Sequence, residues 1–298
     1  RMVSKIQELK ELNMEYLPIE SQLFTFREDS DLLKLYGEDI DDKSKRAYAA
    51  VVAEKLTHIF STIGDVPKIR YQKDSSLCSY VAEVTSEKLK VLQSNIPQMR
   101  RGPEKTVLLI VDRANDPIAP FLHEFTYQAM AYDLLNIGSD MVYTYKSSKT
   151  DEETQVLLNE QDSLWVKFRH KLIVPNVYDA VKEEAKVFQA KNSDLASGSL
   201  TKSDSSTRKL GKIMHRLPDY QRTNQLYALH LNMIKDMMKI FDDDRLKDVS
   251  LQEQNMAVNQ DERGDKLSNV LPSLGPLFRE NVSNDTKLRL TLLYLITQ

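Results

Sequence analysis

The chain has 298 residues, with 41 Lys and Arg against 44 Asp and Glu, so its formal net charge is −3. This length can bury a large core and accommodates two or three domains. The near-neutral charge argues against a broad nucleic-acid-binding surface, which would need clustered excess cations. The single cysteine, Cys78, excludes an internal disulfide. The sequence has no apolar run near the ~20 residues that span a bilayer, and no signal-peptide core at its start.

The first seventy residues alternate between strand and helix patterns. Ile6–Leu12 is a short amphipathic stretch, and Asn13–Phe26 is strand-like, although Pro18 restricts any pairing to a sheet edge. Apolar residues at helical spacing predict a helix over Arg46–Gly64. Lys68–Tyr71 is then a short predicted strand.

A second helix and a strand complete this region. Ser75 or Ser76 is the candidate N-cap of the helix, and the polar break Arg100–Pro103 precedes Val107–Val111, five consecutive apolar residues. A run this short and rich in branched side chains predicts a strand buried on both faces, as in parallel sheets. The alternation of strands and helices predicts a partial α/β layer.

The segment after this strand predicts a rigid turn and a buried helix. Pro117 and Pro120 punctuate a tight loop, and a helical period begins at Phe121. Met141–Tyr145 is a predicted strand. Trp165, the only tryptophan, is predicted to lie in the core, because aromatic side chains account for much of the apolar area that a core buries.

Two helices around a polar tip follow. Val177–Lys191 has one apolar face and one charged face, whereas Asn192–Ser206 is nearly all small or polar, so we expect a mobile tip. From Thr207 apolar residues recur at i, i+3, i+4 and i+7. The sequence therefore predicts a helical hairpin.

Pro218 interrupts the second helix of this hairpin. A proline inside a helix removes one backbone hydrogen bond and clashes with the preceding turn, at a cost of ~3 kcal/mol. The helical period nevertheless resumes at Tyr220 and continues to Phe241. Either the chain bends permanently at Pro218, or it switches between a bent and a straight form.

The last part of the chain is predicted to be helical. A helical pattern begins at Leu246, Leu271–Phe278 is broken by Pro272 and Pro276, and Leu288–Ile296 predicts a buried helix. The chain ends inside this last pattern, so we expect it to be a segment of a longer protein.

Catalytic patterns are few and incomplete. The strand that ends at Asp112 resembles the strand-then-Asp of a magnesium-dependent nucleotidase, but no glycine loop is present to cradle phosphates. His123 and Glu124 begin like a zinc-binding HExxH motif, but Tyr127 stands at the position of the second histidine. We therefore predict no catalytic residue, no metal and no cofactor. A nucleotide- or metal-dependent hydrolase that uses Asp112 is kept as an alternative.

The charged residues after this strand have two interpretations. Asp112, Arg113 and Asp116 could bind a ligand, because open α/β sheets place ligands at the carboxyl ends of strands. Alternatively, an Asp–Arg pair fixes the loop against the helix start, with His123 and Glu124 capping it. The structural role is favoured, because burying such charges demands partners.

The hairpin is the remaining candidate for a functional surface. Its cations are Lys182, Lys186, Lys191, Lys202, Arg208, Lys209 and Lys212. The apolar candidates beside them are Leu200, Leu210 and Leu217. A groove that binds an amphipathic helix needs apolar contacts with a charged rim. The alternative is that these lysines only solvate a surface hairpin.

Four segments resemble, in the same order, the Sec/Munc (SM) family of syntaxin-binding proteins. They are DRANDPIAPFLHEFTYQAMAYDLL (Asp112–Leu135), Leu158–His170, Leu217–Leu231 and Gln252–Gly264. None of these pieces is a strong pattern alone, so the specificity lies in the ordered set, which covers nearly the whole chain.

The resemblance implies an α/β multidomain fold. A partial parallel-sheet α/β domain would occupy residues 1–104, a mainly helical domain with the long helical hairpin residues 105–243, and a truncated helical subdomain residues 244–298. Proteins of the family carry an N-terminal domain before the matching region and further sequence after it, so we expect this chain to lack both.

The resemblance also implies a function. SM proteins are chaperones that bind syntaxin and template SNARE assembly for vesicle docking and fusion; the similarity here is to the branch that serves exocytosis and neurotransmitter secretion. The implied partners are a syntaxin-type SNARE and a vesicle SNARE helix, with no nucleic acid. The implied location is the cytoplasm, with peripheral association at the plasma membrane through SNAREs and no direct insertion. A passive trafficking scaffold is a further alternative, and no enzymatic activity is expected.

The resemblance assigns roles to particular residues of the hairpin. The hairpin past Lys191 would furl or extend about Pro218, and the extended form would template a vesicle SNARE alongside syntaxin. Tyr227 and Leu231 match positions on the surface of that contact. A further hypothesis is that added phosphate charge biases the hairpin. Its candidate sites in the tip are Ser203, Ser205 and Ser206.

Overall fold

The structure is a computed structural model that describes residues 15–26, 31–96, 99, 106–138, 140–146, 153–196, 207–261, 263–267, 269–280 and 282–297. The predicted amphipathic stretch Ile6–Leu12 lies outside these residues. The chain divides into two compact units, Arg1–Pro117 and Ile118–Gln298. The finer division into residues 1–104, 105–243 and 244–298 stays a prediction.

The first unit combines two small sheets with three helices. Its elements are β1 (Leu17–Glu20), β2 (Leu23–Thr25), α1 (Asp31–Tyr36), α2 (Asp42–Ile63), β3 (Lys68–Tyr71), α3 (Ser76–Asn95) and β4 (Val107–Ile110). β1 and β2 form an antiparallel hairpin, whereas β3 and β4 pair in parallel. The α/β layer predicted for this region is therefore present.

Capping residues mark both ends of α2 and the start of α3. The side chain of Asp41 accepts a hydrogen bond from Ser44 N at 2.6 Å at the start of α2, and Gly64 ends that helix with a φ of 75°. Ser75 caps α3 by accepting from Cys78 N at 3.2 Å. Both predicted helices are confirmed, although α2 begins at Asp42 rather than at the predicted Arg46.

β4 differs from its prediction in burial. Leu108 and Ile110 pack against α2 and α3, but Val107 and Leu109 are 48% and 64% exposed. The expectation of a strand buried on both faces is therefore wrong for the described residues. The physical reason is that, within the described part of the chain, α2 and α3 cover one face of the β3–β4 pair and leave the other face open.

The second unit is mainly helical. Its elements are α4 (Tyr127–Leu134), β5 (Val142–Lys146), β6 (Glu153–Leu157), α5 (Ser163–Phe168), α6 (Tyr178–Lys191), α7 (Ser193–Ala196), α8 (Thr207–Asp243), α9 (Leu246–Val258), α10 (Leu271–Arg279) and α11 (Asn284–Thr297). β5 and β6 form an antiparallel pair. The strand predicted at Met141–Tyr145 is confirmed, whereas β6 was not predicted, because its short, polar sequence gives little strand signal.

The helix predicted from Phe121 begins six residues later, at Tyr127. The amides of Tyr127 and Gln128 donate to Lys171 O and Arg169 O at 2.9 and 2.8 Å, and Phe125 O accepts from the Ile173 amide. These long-range bonds hold the segment before Tyr127 against residues 169–173. They replace the local hydrogen bonds that an earlier helix start would need.

The core of this unit surrounds Trp165, as predicted. Trp165 is fully buried, and its ring makes edge-to-face contacts with Tyr127 and Tyr132, at centroid distances of 5.4 and 6.3 Å. Met233 and Met237 bring α8 into the same core. The C-terminal part of α8 is thus fixed by apolar packing.

A second cluster joins the last three helices around Leu246, Leu274 and Leu290. The expected break at Pro272 and Pro276 does not occur, because α10 runs through both residues. Pro272 lies in the first turn, where the backbone amide has no helical partner, and Pro276 removes only one interior hydrogen bond.

α8 is one continuous helix, and Pro218 lies inside it. The fixed turn considered for Pro218 is therefore absent. Pro218 has no amide hydrogen to donate to Met214 O, so the helix lacks one backbone bond at this point. The structure shows the form in which the two helical segments join. Whether they also separate stays a prediction.

Candidate partner-binding groove

α6 and α8 pack side by side and form the body of the hairpin. Phe188 of α6 stacks on Tyr220 at a centroid distance of 5.5 Å and contacts Tyr227 at 5.7 Å. On the N-terminal side of Pro218, Arg216 donates to the side-chain oxygen of Asn192, the residue after α6, at 2.9 Å. Contacts to α6 therefore lie on both sides of the proline.

Three buried polar side chains fix α8 from behind. The hydroxyl of Tyr127 lies 2.6 Å from His230 Nδ1, and His230 Nε2 lies 2.9 Å from Asp162 Oδ2. A neutral imidazole with its proton on Nε2 satisfies both contacts, because it accepts from Tyr127 and donates to Asp162. We call these three residues the buried relay.

The relay also organises α5. Asp162 Oδ1 accepts from the amides of Leu164 and Trp165, at 2.9 and 3.0 Å, and so caps this helix. Burial alone would raise the pKa of Asp162, but the hydrogen bond from His230 and the two amides lower it. Burial and the nearby Asp162 charge raise the pKa of Tyr127 well above its ordinary value. Asp162 is therefore held as a carboxylate and Tyr127 as a neutral phenol.

A groove of about 720 Å³ opens between the start of α6 and the second half of α8. Its apolar lining consists of Ile173, Leu231, Ile234 and Met238, with the ring of Tyr178. We call it the α6–α8 groove. Since Ile173 and Ile234 are almost fully buried, the floor is held by the core.

Charged side chains line the same groove. They are Lys182, Lys235 and Lys239 as cations, with Asp179 and Asp242 as acids. The ammonium of Lys182 also lies 5.5 Å from the ring centre of Tyr178, a cation–π contact. An apolar floor bordered by charges, with one more cation than anion, suits an amphipathic helix that carries acidic residues beside its apolar stripe.

The structure brings only part of the predicted site together. Lys182 and Leu231 both line the groove. Tyr227, predicted for the same contact one turn before Leu231 on α8, instead packs half-buried against Phe188. Burial, followed by the charge of Glu184, raises the pKa of its hydroxyl.

Other predicted contact residues lie away from the groove. Lys186 is exposed and pairs with Glu183 at 3.8 Å, while Lys191 is exposed at the end of α6. Leu217 is half-buried beside Pro218. The groove thus uses the first turns of α6 rather than its last turns.

The remaining predicted positions fall outside what the structure describes. Four predicted contact residues lie in the first turns of α8, where the structure describes the helical backbone but not the side chains. These residues are Arg208, Lys209, Leu210 and Lys212. The predicted tip positions outside the described residues are Leu200, Lys202, Ser203, Ser205 and Ser206.

Several groove residues were missed by the sequence prediction. Lys235 and Lys239 follow Leu231 by one and two helical turns, so they share its face of α8, and Met238 lies between them. This spacing was a usable signal. No sequence pattern could have identified Ile173 and Asp179, because only the packing of α6 on α8 brings them to the groove.

Asp112, the candidate metal or nucleotide ligand, is used within the first unit. Its carboxylate accepts from the hydroxyls of Tyr36 and Ser75 and from the amide of Ala114. Burial opposes ionisation, but these hydrogen bonds lower the pKa of Asp112, and burial with the Asp112 contact raises the pKa of Tyr36 to about 12. Arg113 does not face Asp112 and donates to the backbone oxygen of Asp116.

His123 does not cap a helix. Its Nδ1 lies 2.7 Å from Glu253 Oε1, and its backbone amide donates to Glu253 Oε2 at 2.9 Å. This pair connects the loop before α4 to α9, and both side chains are almost fully buried. The capping role expected for His123 is therefore wrong, and Glu124 is exposed. Across the described ranges, no three His, Cys, Asp or Glu side chains converge as a metal site would require.

None of the helices in the described part of the chain combines the length and apolar character that crossing a bilayer requires.

Comparison with known proteins gives consistent results along the whole chain. The profile of the Sec1 family matches residues 1–298. The chain is 30% identical over 302 residues to "Protein transport protein sec1" of Dictyostelium discoideum, which covers 99% of this chain and 49% of that protein. It is 29% identical over 312 residues to "SNARE-interacting protein KEULE" of Arabidopsis thaliana, with 98% of this chain and 45% of that protein covered.

A solved structure has the same fold. The crystal structure of the Unc18–syntaxin 1 complex from Monosiga brevicollis matches with a TM-score of 0.77 and 27% identity, over 95% of this chain and 50% of that one. The chain spans about half the length of these relatives. The profile match over all 298 residues and the shared fold together show that the chain belongs to the Sec1 family.

Proposed function

We propose that this chain is a SNARE-binding part of a longer protein, and that the α6–α8 groove receives an amphipathic SNARE helix. The observation that carries the proposal is the apolar floor of Leu231, Ile234 and Met238, lined also by lysines from both α6 and α8. The Monosiga relative was solved with syntaxin 1, and the Arabidopsis relative is named for SNARE interaction. Both support a syntaxin-type partner.

The proposed mechanism is templating. The buried relay and the Trp165 core hold α8 rigid behind the groove, so the exposed side of α8 offers a fixed track along which a second helix can align. In this proposal Leu231 and Lys182 contact a vesicle SNARE, and Tyr227 supports the contact through α6. Pro218 acts as the hinge that sets the length of the track.

Further hairpin residues extend the proposed contact beyond the groove. They are Lys186, Lys191, Leu200, Arg208, Lys209, Leu210, Lys212 and Leu217. The lysines and the arginine in this set would attract acidic SNARE helices over a distance of about a Debye length, ~8 Å at physiological ionic strength. Phosphate on the tip serines would oppose this attraction. Its proposed sites are Ser203, Ser205 and Ser206.

The proposed cellular role is vesicle docking and fusion in exocytosis, including neurotransmitter secretion. The complete protein would work in the cytoplasm and reach the plasma membrane through its SNARE partners. The hydrolase alternative is not favoured, because hydroxyl and amide donors already occupy the carboxylate of Asp112.

A binding experiment with matched lysine variants tests the groove. Labelled syntaxin-type and vesicle SNARE helices are titrated with the chain, and fluorescence anisotropy gives the dissociation constants. Leu231→Arg should weaken the vesicle SNARE at least about tenfold, because it places a long cation where the floor is apolar. Lys182→Gln should weaken binding about two- to fivefold, as rim charges do.

Lys90→Gln is the matched control, since it removes the same charge from an exposed helical position, in α3, outside the hairpin. It should leave affinity within about twofold. Equal affinities for the Leu231→Arg protein and the unchanged chain, with circular dichroism confirming both folds, would remove the groove from the proposed site.

A further inference from the structure

A second cavity, of about 350 Å³, lies beside the α6–α8 groove in the same unit. It is a partly open cavity between α4 with the loop before it, the segment before α6, the end of α8 and the start of α9. Its apolar lining consists of Phe125, Met130, Leu172, Ile173, Met238 and Phe241. Lys247 and Ser250 of α9 complete it. We call it the α9 cavity.

Contacts among the lining residues hold the walls of this cavity in place. Phe125 meets Phe241 edge-to-face at 5.6 Å, and its backbone oxygen accepts from the amide of Ile173 at 3.1 Å. Ile173 and Met130 are almost fully buried. Because these neighbours are fixed, the walls cannot easily close on the empty space. The volume lies within the range of small-molecule pockets, roughly 300–1,000 Å³.

The charge of the cavity selects the ligand. Among the described residues that line it, Lys247 is the one charged side chain, and no carboxylate is present. Ser250 Oγ already donates to Lys247 O at 3.1 Å, so the Lys247 ammonium is the available hydrogen-bond donor. An apolar chamber with a single cation at one end complements an amphiphile with an apolar chain and one anionic group.

We propose that the α9 cavity binds a free fatty acid, with the acyl chain among Phe125, Met238 and Phe241 and the carboxylate at Lys247. Leu172 is 51% exposed and marks the side from which a chain enters. The site needs no SNARE, so it stands independently of the function proposed above. It adjoins the groove through Ile173 and Met238, which line both.

A chain-length series tests the proposal with the 298-residue protein. Octanoate, decanoate and dodecanoate are titrated by isothermal calorimetry below their micelle concentrations. The expected result is one saturable site whose dissociation constant falls about fourfold for each buried methylene, until the cavity is full. Decyltrimethylammonium has the chain length of decanoate but a positive head, and should bind at least about tenfold more weakly.

Variants locate the site. Lys247→Gln should weaken decanoate about tenfold, because it removes the charge and keeps most of the stem. Ser250→Phe should abolish binding by filling the cavity from the α9 wall. Lys235→Gln is the matched control, since Lys235 lines the groove but not the cavity, and should leave decanoate affinity unchanged. Circular dichroism and thermal unfolding check that each variant folds.

The outcomes separate the alternatives. Three results would overturn the proposal and indicate nonspecific adsorption instead. They are equal binding of decanoate and decyltrimethylammonium, heat without saturation, and an unchanged decanoate affinity of the Lys247→Gln variant. Leu231→Arg should keep decanoate affinity while it weakens SNARE binding. Loss of decanoate binding in that variant would instead place the ligand in the groove, and would also overturn the proposal.

Discussion

His230 Nε2 lies 2.9 Å from Asp162 Oδ2, although the two residues are separated by 68 positions in the chain. Both side chains are buried, and Asp162 at the same time caps α5. One carboxylate therefore connects the start of a short helix to the middle of the longest one. Leu231, the residue after His230, and Ile234, one turn beyond it, line the groove, so the stability of the groove depends on residues that do not line it.

The relay should contribute strongly to stability. His230→Phe keeps a flat ring but removes both ring nitrogens, and leaves the buried Asp162 carboxylate without the hydrogen bond from Nε2. We expect the free energy of unfolding, measured in urea, to fall by about 3–5 kcal/mol. Tyr127→Phe should lose about 1–3 kcal/mol, because only the hydroxyl partner of Nδ1 is removed. Tyr178→Phe, a change on an exposed ring, should lose less than about 0.5 kcal/mol. Similar losses in all three variants would contradict the assignment.

The lowered pKa of Asp162 predicts the pH dependence of this contribution. A carboxyl group whose native pKa is depressed stabilises the fold above its unfolded pKa, about 3.9, and loses that effect as the pH falls through the native pKa. The stability difference between the unchanged chain and Asp162→Asn should therefore be constant from about pH 7 to pH 5 and shrink towards pH 3. A difference that grows on acidification would show that burial, not hydrogen bonding, controls this carboxyl group.

Pro218→Ala should strengthen α8. The alanine amide can donate to Met214 O, and helix propensity favours alanine over proline by about 3 kcal/mol. Hydrogen exchange near residue 218 should slow. If Pro218 is the hinge, SNARE assembly in a lipid-mixing assay with the complete protein should be faster. Pro272→Ala is the control, because a proline in the first turn of α10 removes no interior bond. Unchanged assembly together with unchanged protease sensitivity of the hairpin would end the hinge hypothesis.

The His123–Glu253 pair should stabilise the second unit. Glu253→Ala leaves the buried His123 ring and its amide without acceptors, so we expect a loss of about 3 kcal/mol. Glu253→Gln should lose less, because the amide oxygen still accepts from the His123 backbone. Glu183→Ala, which breaks only the exposed pair with Lys186, should lose less than about 0.5 kcal/mol by thermal unfolding. If Glu253→Gln lost more stability than Glu253→Ala, the contribution of the pair would not come from hydrogen bonds to His123.

The sequence predicted the elements that are specified locally. α2 and α3 follow from apolar periodicity and from caps at Gly64 and Ser75, and β3 follows from a short alternating run. The helix pair α6 and α8 was also predicted, including its start at Thr207. In each case the determining interactions lie within about one or two helical turns of each other, so the amino-acid order alone contains them.

The predictions failed where distant residues decide the local structure. The helix expected at Phe121 is displaced because backbone groups before Tyr127 bond to residues 169–173. Val107 and Leu109 are exposed because no further element of the described chain covers that face of β4. Neither fact is visible in the composition of the segments themselves.

The sequence by itself determined the class of the protein, its helical hairpin and the position of Pro218, because these depend on short-range periodicity and on an ordered set of local segments. Only the tertiary structure decided which lysines meet which apolar residues. Lys182 and Leu231 line one groove, whereas Lys186, one turn later on the same face of α6, lies outside it, because only the first turns of α6 border the groove. Burial of His230 against Asp162 fixes that arrangement, and no local pattern specifies it.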